Sequence, residues 1–360
     1  MANTTYLLGA GASANAIPPV KQMNLRIWEL YYTLKEFSLQ NNLEIKKEFD
    51  LIKFDRFNYL LEKLENIISE ITKHYSIDTY AKKLYLKKSL DYIILKHLIN
   101  LYILFEQISI EEIQNQLKIN YGVVTKNMNE QFGVQKSNDL EKYRVSNLDE
   151  RYDVLLASIY DTTIKFPQNL KILTYNYDNQ LEIANEYYKN YKSIYSHFYS
   201  LQGVNNPEIN IIKLNGYATF EKVIKLGEFE NTQITDTEFL KEKLKHQISK
   251  LNNLFNEQTK VLTNISFAWD ESDYSTHAIN KAREFILNSS NIVIVGYSFP
   301  EFNRKIDEIL FSKLPTNAKI YIQTEENSFA ILQDRLIQRA KKINQQNIIK
   351  VNYIDQFFIP

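Results

Sequence analysis

The stretch Thr5-Tyr6-Leu7-Leu8-Gly9-Ala10-Gly11-Ala12-Ser13-Ala14 decides the fold. A short apolar run, Thr5–Leu8, leads into Gly9-x-Gly11-x-x-Ala14, the spacing of a dinucleotide-binding turn with Ala in the third glycine position. Small residues let backbone approach a pyrophosphate closely. The N-terminus of a following helix adds free N–H groups and the positive end of a dipole. A tight strand-to-helix turn without any ligand also uses glycine. A dehydrogenase of the usual kind is disfavoured, because helix follows the motif instead of a second strand ending in an acidic residue.

Outward from that stretch, further apolar runs bounded by turn residues predict strands at Leu170–Thr174, Ile209–Leu214, Asn291–Val295, Lys319–Gln323 and Ile348–Tyr353. Most are continuous and not alternating, which suits a parallel sheet buried on both faces. Helical patterns at Thr276–Leu287, Glu301–Leu314 and Ser328–Ile343 separate the last three. The alternation predicts an α/β, Rossmann-like, doubly wound and mostly parallel sheet formed by residues 1–24 and 166–360. Residues 25–165 read as a large helical insertion, with Leu60, Leu61, Leu64, Ile67, Ile68 and Ile71 at helical spacing. His97 falls on a second such stripe and is expected in the core. The polar, Asn-rich stretch 122–150 reads as a long loop. A smaller insertion, 217–265, carries one amphipathic helix through Leu240, Leu244, Ile248, Leu251 and Leu254.

Polar residues follow several of these strands. Thr174, Asn176 and Asp178 lie in Ile172-Leu173-Thr174-Tyr175-Asn176-Tyr177-Asp178; Asn215-Gly216 and Gly296-Tyr297-Ser298 close two more, and Gln323 another. In doubly wound sheets ligands sit beyond the carboxyl ends of strands, so Asn176 and Asp178 are placed to meet a ribose or a water. An Asx turn opening a helix accounts equally for that pair.

Composition narrows the classes. Lys+Arg and Asp+Glu both number 43 in 360 residues, so the zero net charge gives no footprint for direct nucleic-acid binding or an anionic membrane. The lysine doublets read as solvated helix faces. With no cysteine, thiol catalysis and thiolate zinc sites are excluded, and the 5 scattered histidines imply no metal. The start Met1-Ala2-Asn3-Thr4-Thr5 lacks a signal peptide's basic and apolar regions, and no run of about 18 apolar residues could span a membrane, so a cytoplasmic protein is expected.

Together the strand-end motifs resemble the sirtuin family, and more narrowly the sirtuin-like effectors of bacterial antiphage defence. The family's Gly-Ala-Gly-x-Ser followed by Gly-Ile-Pro is similar to Gly9-Ala10-Gly11-Ala12-Ser13 followed by Ala16-Ile17-Pro18. Its Thr-Gln-Asn-x-Asp is matched by Thr174 to Asp178, its His-Gly by Asn215-Gly216, and its Gly-Thr-Ser by Gly296-Tyr297-Ser298. The resemblance implies an NAD hydrolase that releases nicotinamide and ADP-ribose and depletes cellular NAD. It implies Gly9, Ala10, Gly11, Ala12 and Ser13 around the pyrophosphate, with Ile17, Pro18 and Thr174 nearby. Asn176 would hold the proximal ribose or the attacking water, Asp178 would share the catalytic site, and Gly216 would follow the catalytic position. Gly296, Tyr297 and Ser298 would line the adenosine side, with Gln323 approaching its ribose. Such toxic activity implies restraint, by a homo-oligomer or by a partner such as a HerA-type ATPase, a short Argonaute or a nucleotide-processing enzyme.

The pattern also departs from the family. Pro19, Val20 and Lys21 replace the deacylase continuation after Ile-Pro, and no four-cysteine zinc ribbon exists, which disfavours a lysine deacylase. At the catalytic histidine position stands Asn215, whose amide cannot accept a proton near neutral pH. Either Asn215 is a substitution in an otherwise active enzyme, or it is native to a weakened enzyme or an NAD/ADP-ribose-binding sensor.

Overall fold

The computed structural model describes residues 2–18, 20–40, 51–108, 110–132, 148–186, 188, 210–218, 263–270, 273–340 and 343–360. Six strands, β1 (Thr4–Leu8), β2 (Leu170–Thr174), β3 (Ile211–Lys213), β4 (Asn291–Val295), β5 (Lys319–Gln323) and β6 (Ile348–Val351), form one sheet in the order β3-β2-β1-β4-β5-β6. Every pairing is parallel, so the expected "mostly parallel" sheet is wholly so. Leu8 lies opposite both Thr174 and Val295, and the carboxyl ends of β1, β2 and β4 are therefore level. The chain runs one way from β1 through β2 and β3, and the other way from β4 through β5 and β6. The direction reverses between β1 and β4, the crevice where such sheets take ligands.

The helices among the described residues are α1 (Val20–Gln40), α2 (Leu51–Thr72), α3 (Ile77–Leu86), α4 (Asp91–Glu106), α5 (Ile110–Leu117), α6 (Tyr121–Phe132), α7 (Glu150–Ile159), α8 (Gln180–Glu186), α9 (Asp273–Leu287), α10 (Arg304–Phe311) and α11 (Phe329–Arg339). Successive strand residues point to opposite faces, which divides the sheet's core in two. Leu7, Leu173, Ile294 and Ile320 face α9, α10 and α11 through Ala282, Leu310 and Leu336. Tyr6, Leu8, Ile172 and Val293 face α7 and α8 through Tyr152, Leu156 and Leu181, with Phe357 beside them. A third core lies within the helical block, where Ile27, Leu34, Leu64, Ile68, Leu98, Leu101 and Phe105 interlock. His97 is buried there, as its stripe predicts.

Several expectations change. Of the stretch 122–150, expected as a loop, residues 122–132 are helical and 133–147 lie outside the described residues: α6 buries Tyr121, Val124 and Met128 at helical spacing, and Asp149 caps α7 by accepting from the Arg151 backbone N–H at 3.2 Å. Leu148, Tyr152, Leu155 and Leu156 pack in the sheet's core. The pattern at Glu301–Leu314 splits into a 3-10 turn, Glu301–Asn303, and α10. The expected helix through Leu240 and Leu254 lies outside the described residues.

Candidate functional site

At the reversal point two loops meet backbone to backbone. The Gly9 N–H donates to the Val295 carbonyl at 3.0 Å and the Gly11 N–H to the Gly296 carbonyl at 2.9 Å. Gly296 has φ +61, and a Cβ there would lie 2.2 Å from the Ala12 nitrogen, so only glycine fits. A Cβ on Gly9 or Gly11 would likewise come within 2.6 Å or 2.7 Å of backbone in the Gly296-Tyr297 loop. The glycine spacing is thus required by the protein's own packing, whether or not a ligand sits over it. Ala10 to Ser13 form a 3-10 turn with Ala10 exposed and Ser13 buried.

Asn176, after β2, crosslinks this turn. Its Nδ2 donates to the Gly9 carbonyl at 3.0 Å and to Ser13 Oγ at 3.1 Å, and its own N–H donates to Thr174 Oγ1 at 3.0 Å. Asp178 is buried, and burial raises its carboxyl above the ordinary range, against the pull of Lys213, the Ser13 hydroxyl and the Gln180 N–H. Lys213, at the end of β3, donates to the Asp178 carbonyl at 2.7 Å and pairs with buried Glu182. Ile17 and Pro18 are buried, and Ile17 donates its N–H to the Ser13 carbonyl at 2.7 Å.

Asn215 directly precedes an antiparallel bridge between Gly216 and Ile265. The Ser266 N–H donates to the Asn215 carbonyl at 2.8 Å and the Tyr217 N–H to the Asn264 carbonyl at 3.1 Å. Gly216 has φ +79, and a Cβ there would strike the Asn264 carbonyl at 1.7 Å. The Asn215 Nδ2 donates to the Tyr175 carbonyl at 3.1 Å, while its Oδ1 is buried with no partner among the described residues. Leaving such an acceptor unpaired costs about 1–3 kcal/mol. A ligand hydroxyl or amide N–H would satisfy it.

The β4 loop is anchored from behind. The Tyr297 ring stacks on Tyr175 at 4.7 Å, and both hydroxyls donate to Asp307 Oδ1, at 2.8 and 2.9 Å. Phe299, buried, adopts φ +52, a conformation costing a bulky residue about 1–3 kcal/mol. Arg339 holds it by donating to its carbonyl at 3.1 Å. Ser298 is exposed at the loop's tip. Gln323 stands apart: its side chain is engaged by the segment after β6 and is not presented to the reversal point.

Sequence reasoning missed Asp149 and Arg151. Arg151 Nη2 donates to the carbonyls of Gly11 at 3.0 Å and Ala12 at 3.1 Å, and to Asp149 Oδ2 at 2.6 Å. Asp149 Oδ2 accepts from the Asn15 N–H at 3.1 Å, and the Asp149 N–H donates to Gln180 Oε1 at 2.6 Å. This buried pair ties the glycine turn to Gln180, whose own N–H donates to Asp178 Oδ1 at 3.2 Å. Nothing local in the sequence signals it, because the partners are about 140 residues apart; the Arg151–Gly11 pair is separated by 140.

The assembled site offers glycine-turn backbone and two carboxamides, one with an orphan acceptor, and no histidine among its described residues. Among the described residues no group of His, Asp and Glu could hold a metal, and no helix is long and apolar enough to cross a membrane. No protein-family model matches the sequence, and no curated protein matches it.

Proposed function

We propose that this chain binds NAD over the carboxyl ends of β1, β2 and β4 and hydrolyses its nicotinamide–ribose bond. The observation that carries the reading is the convergence at the strand-order reversal. There Asn176 clamps the glycine turn, and after the edge strand β3 Asn215 bonds the Tyr175 carbonyl and leaves a buried acceptor that has no partner among the described residues. The orphan Oδ1 fits a hydroxyl-bearing ligand, and the turn after β1 fits a pyrophosphate. In the reaction the bond between the ring nitrogen and the anomeric carbon breaks, and water supplies the oxygen that replaces it. Nicotinamide leaves neutral, because its ring nitrogen is cationic while bonded, and the water's second proton passes to solvent. The residues contribute position: Asn176 fixes the turn, and Asn215 accepts from the substrate.

Neither amide can take a proton, and lacking a general base costs about 10²–10⁴ in rate, roughly 3–5.5 kcal/mol of barrier. The expected turnover is therefore slow. In this reading the chain is an NAD-depleting effector of antiphage defence, restrained by self-assembly or by a partner protein. A second reading, a sensor that binds NAD or ADP-ribose without turnover, is favoured by the same Asn215. The test is nicotinamide release from NAD by the protein and by Asn215→His, with Asn176→Ala as control. A rise of about 10²-fold or more with histidine, lost without Asn176, supports the hydrolase. Tight binding with no release from either form supports the sensor.

A further inference from the structure

Gln323 closes β5 with a side chain whose bonds all run to the segment after β6. Its Nε2 donates to the carbonyls of Tyr353 at 2.8 Å and Gln356 at 2.6 Å, and its Oε1 accepts from the Phe358 N–H at 3.1 Å. From the middle of the sheet, the Tyr6 hydroxyl donates to the Phe358 carbonyl at 2.7 Å. These bonds bracket Phe357, which is 4% exposed.

Two of the Phe357 ring's neighbours matter for the turn. The ring meets Tyr152 edge-on, with centroids 5.0 Å apart and planes at 89°, and the Arg151 guanidinium lies over it at 5.6 Å. Those two residues support the glycine turn: Tyr152 OH lies 3.0 Å from Ser13 Oγ, and Arg151 occupies the carbonyls of Gly11 and Ala12. Arg151 also reaches back to the Ile354 carbonyl at 3.4 Å. One ring therefore seats both supports.

We infer that residues 353–358 are a positioning element of the nucleotide site, acting through Phe357 to set the affinity for pyrophosphate-bearing ligands. The inference rests on the NAD reading above. The physical reason is electrostatic. While Arg151 holds the two carbonyls, they are paired; if it swings away, they become free acceptors beside a bound diphosphate, whose charge repels them. Phe357 prevents that swing by filling the space against the guanidinium and by fixing Tyr152 at right angles. Gln323 is then a structural anchor of this element and does not contact an adenosine ribose.

The test titrates NAD and ADP calorimetrically into the full chain and into Phe357→Ala and Phe357→Leu. The leucine variant keeps most of the volume and remains informative if the alanine variant fails to fold. Amide exchange of residues 10–13 is followed in parallel. The expected result is that NAD and ADP weaken together, by about tenfold in Phe357→Ala and less in Phe357→Leu, the scale of one lost aromatic contact. Exchange at 10–13 accelerates while exchange in β1 does not. If folded variants bind both ligands as the parent does, or if exchange rises evenly across β1 and the turn, the segment is only structural and the inference fails. If the parent binds neither NAD nor ADP, the NAD reading itself fails and takes the inference with it.

Discussion

Asp307 provides the sharpest test of how the β4 loop is held. It is fully buried, accepts from the Tyr175 and Tyr297 hydroxyls on Oδ1, and accepts from Arg339 Nε on Oδ2 at 3.3 Å. Burial outweighs these donors and pushes its carboxyl up to about 7. An unfolded aspartate titrates near about 3.9, so between these two values the folded state holds a proton that the unfolded state has lost. Stability from this group is therefore greatest on the acid side and declines as pH rises through that window. About 1.4 kcal/mol per pH unit over roughly three units gives an upper limit of about 4 kcal/mol. Asp307→Asn keeps the volume and the acceptor for both tyrosines but cannot titrate. The assay is the urea midpoint of both proteins at about pH 5 and about pH 8, where the parent's advantage over Asp307→Asn should shrink by about 2–4 kcal/mol. A gap that stays constant, or widens with pH, would mean the carboxylate is ionised throughout, and the reasoning would fail.

Further outcomes follow from the same contacts. Gly296→Ala combines a left-handed backbone with a Cβ 2.2 Å from the Ala12 nitrogen, so a loss of about 3–5 kcal/mol is expected in denaturant unfolding; a loss below about 1 kcal/mol would disprove the loop contact. Lys213→Met strands buried Glu182, whose Oε2 has no partner among the described residues, and should cost about 3–5 kcal/mol. Adding Glu182→Leu should recover most of that loss, and a double variant no better than the single would refute the pairing. Asn176→Asp turns a carboxylate oxygen toward the Gly9 carbonyl and should lower the melting temperature by the equivalent of about 1–3 kcal/mol, whereas an unchanged melting curve would contradict the crosslink.

The sheet was legible because its strands are short, continuous apolar runs. Leu170–Thr174, Asn291–Val295 and Lys319–Gln323 form over the expected residues, and β1 gains only Thr4. Of the run Ile209–Leu214, whose first residue lies outside the described residues, the strand covers Ile211–Lys213, and of Ile348–Tyr353 it covers Ile348–Val351, ending before polar Asn352. α6 was hidden because Tyr121, Val124 and Met128 are sparse among polar neighbours. The positions of Asn176, Asn215 and Gly296 followed from their being strand ends. Their bonding did not: the sequence left glycine open as room for a ligand or for a tight turn, and Gly11 and Gly296 make room for each other. Arg151 and Phe357 left no trace in the sequence, because a guanidinium on a carbonyl about 140 residues away has no periodicity or spacing to betray it.

The most direct test of the central claim is equilibrium dialysis of labelled NAD against the protein and against Asn176→Asp. Saturable binding at one site per chain, lost in the variant while its fold persists, is the expected result. No saturable binding by the parent, or equal binding by a folded variant, would contradict a dinucleotide site at the junction of β1, β2 and β4.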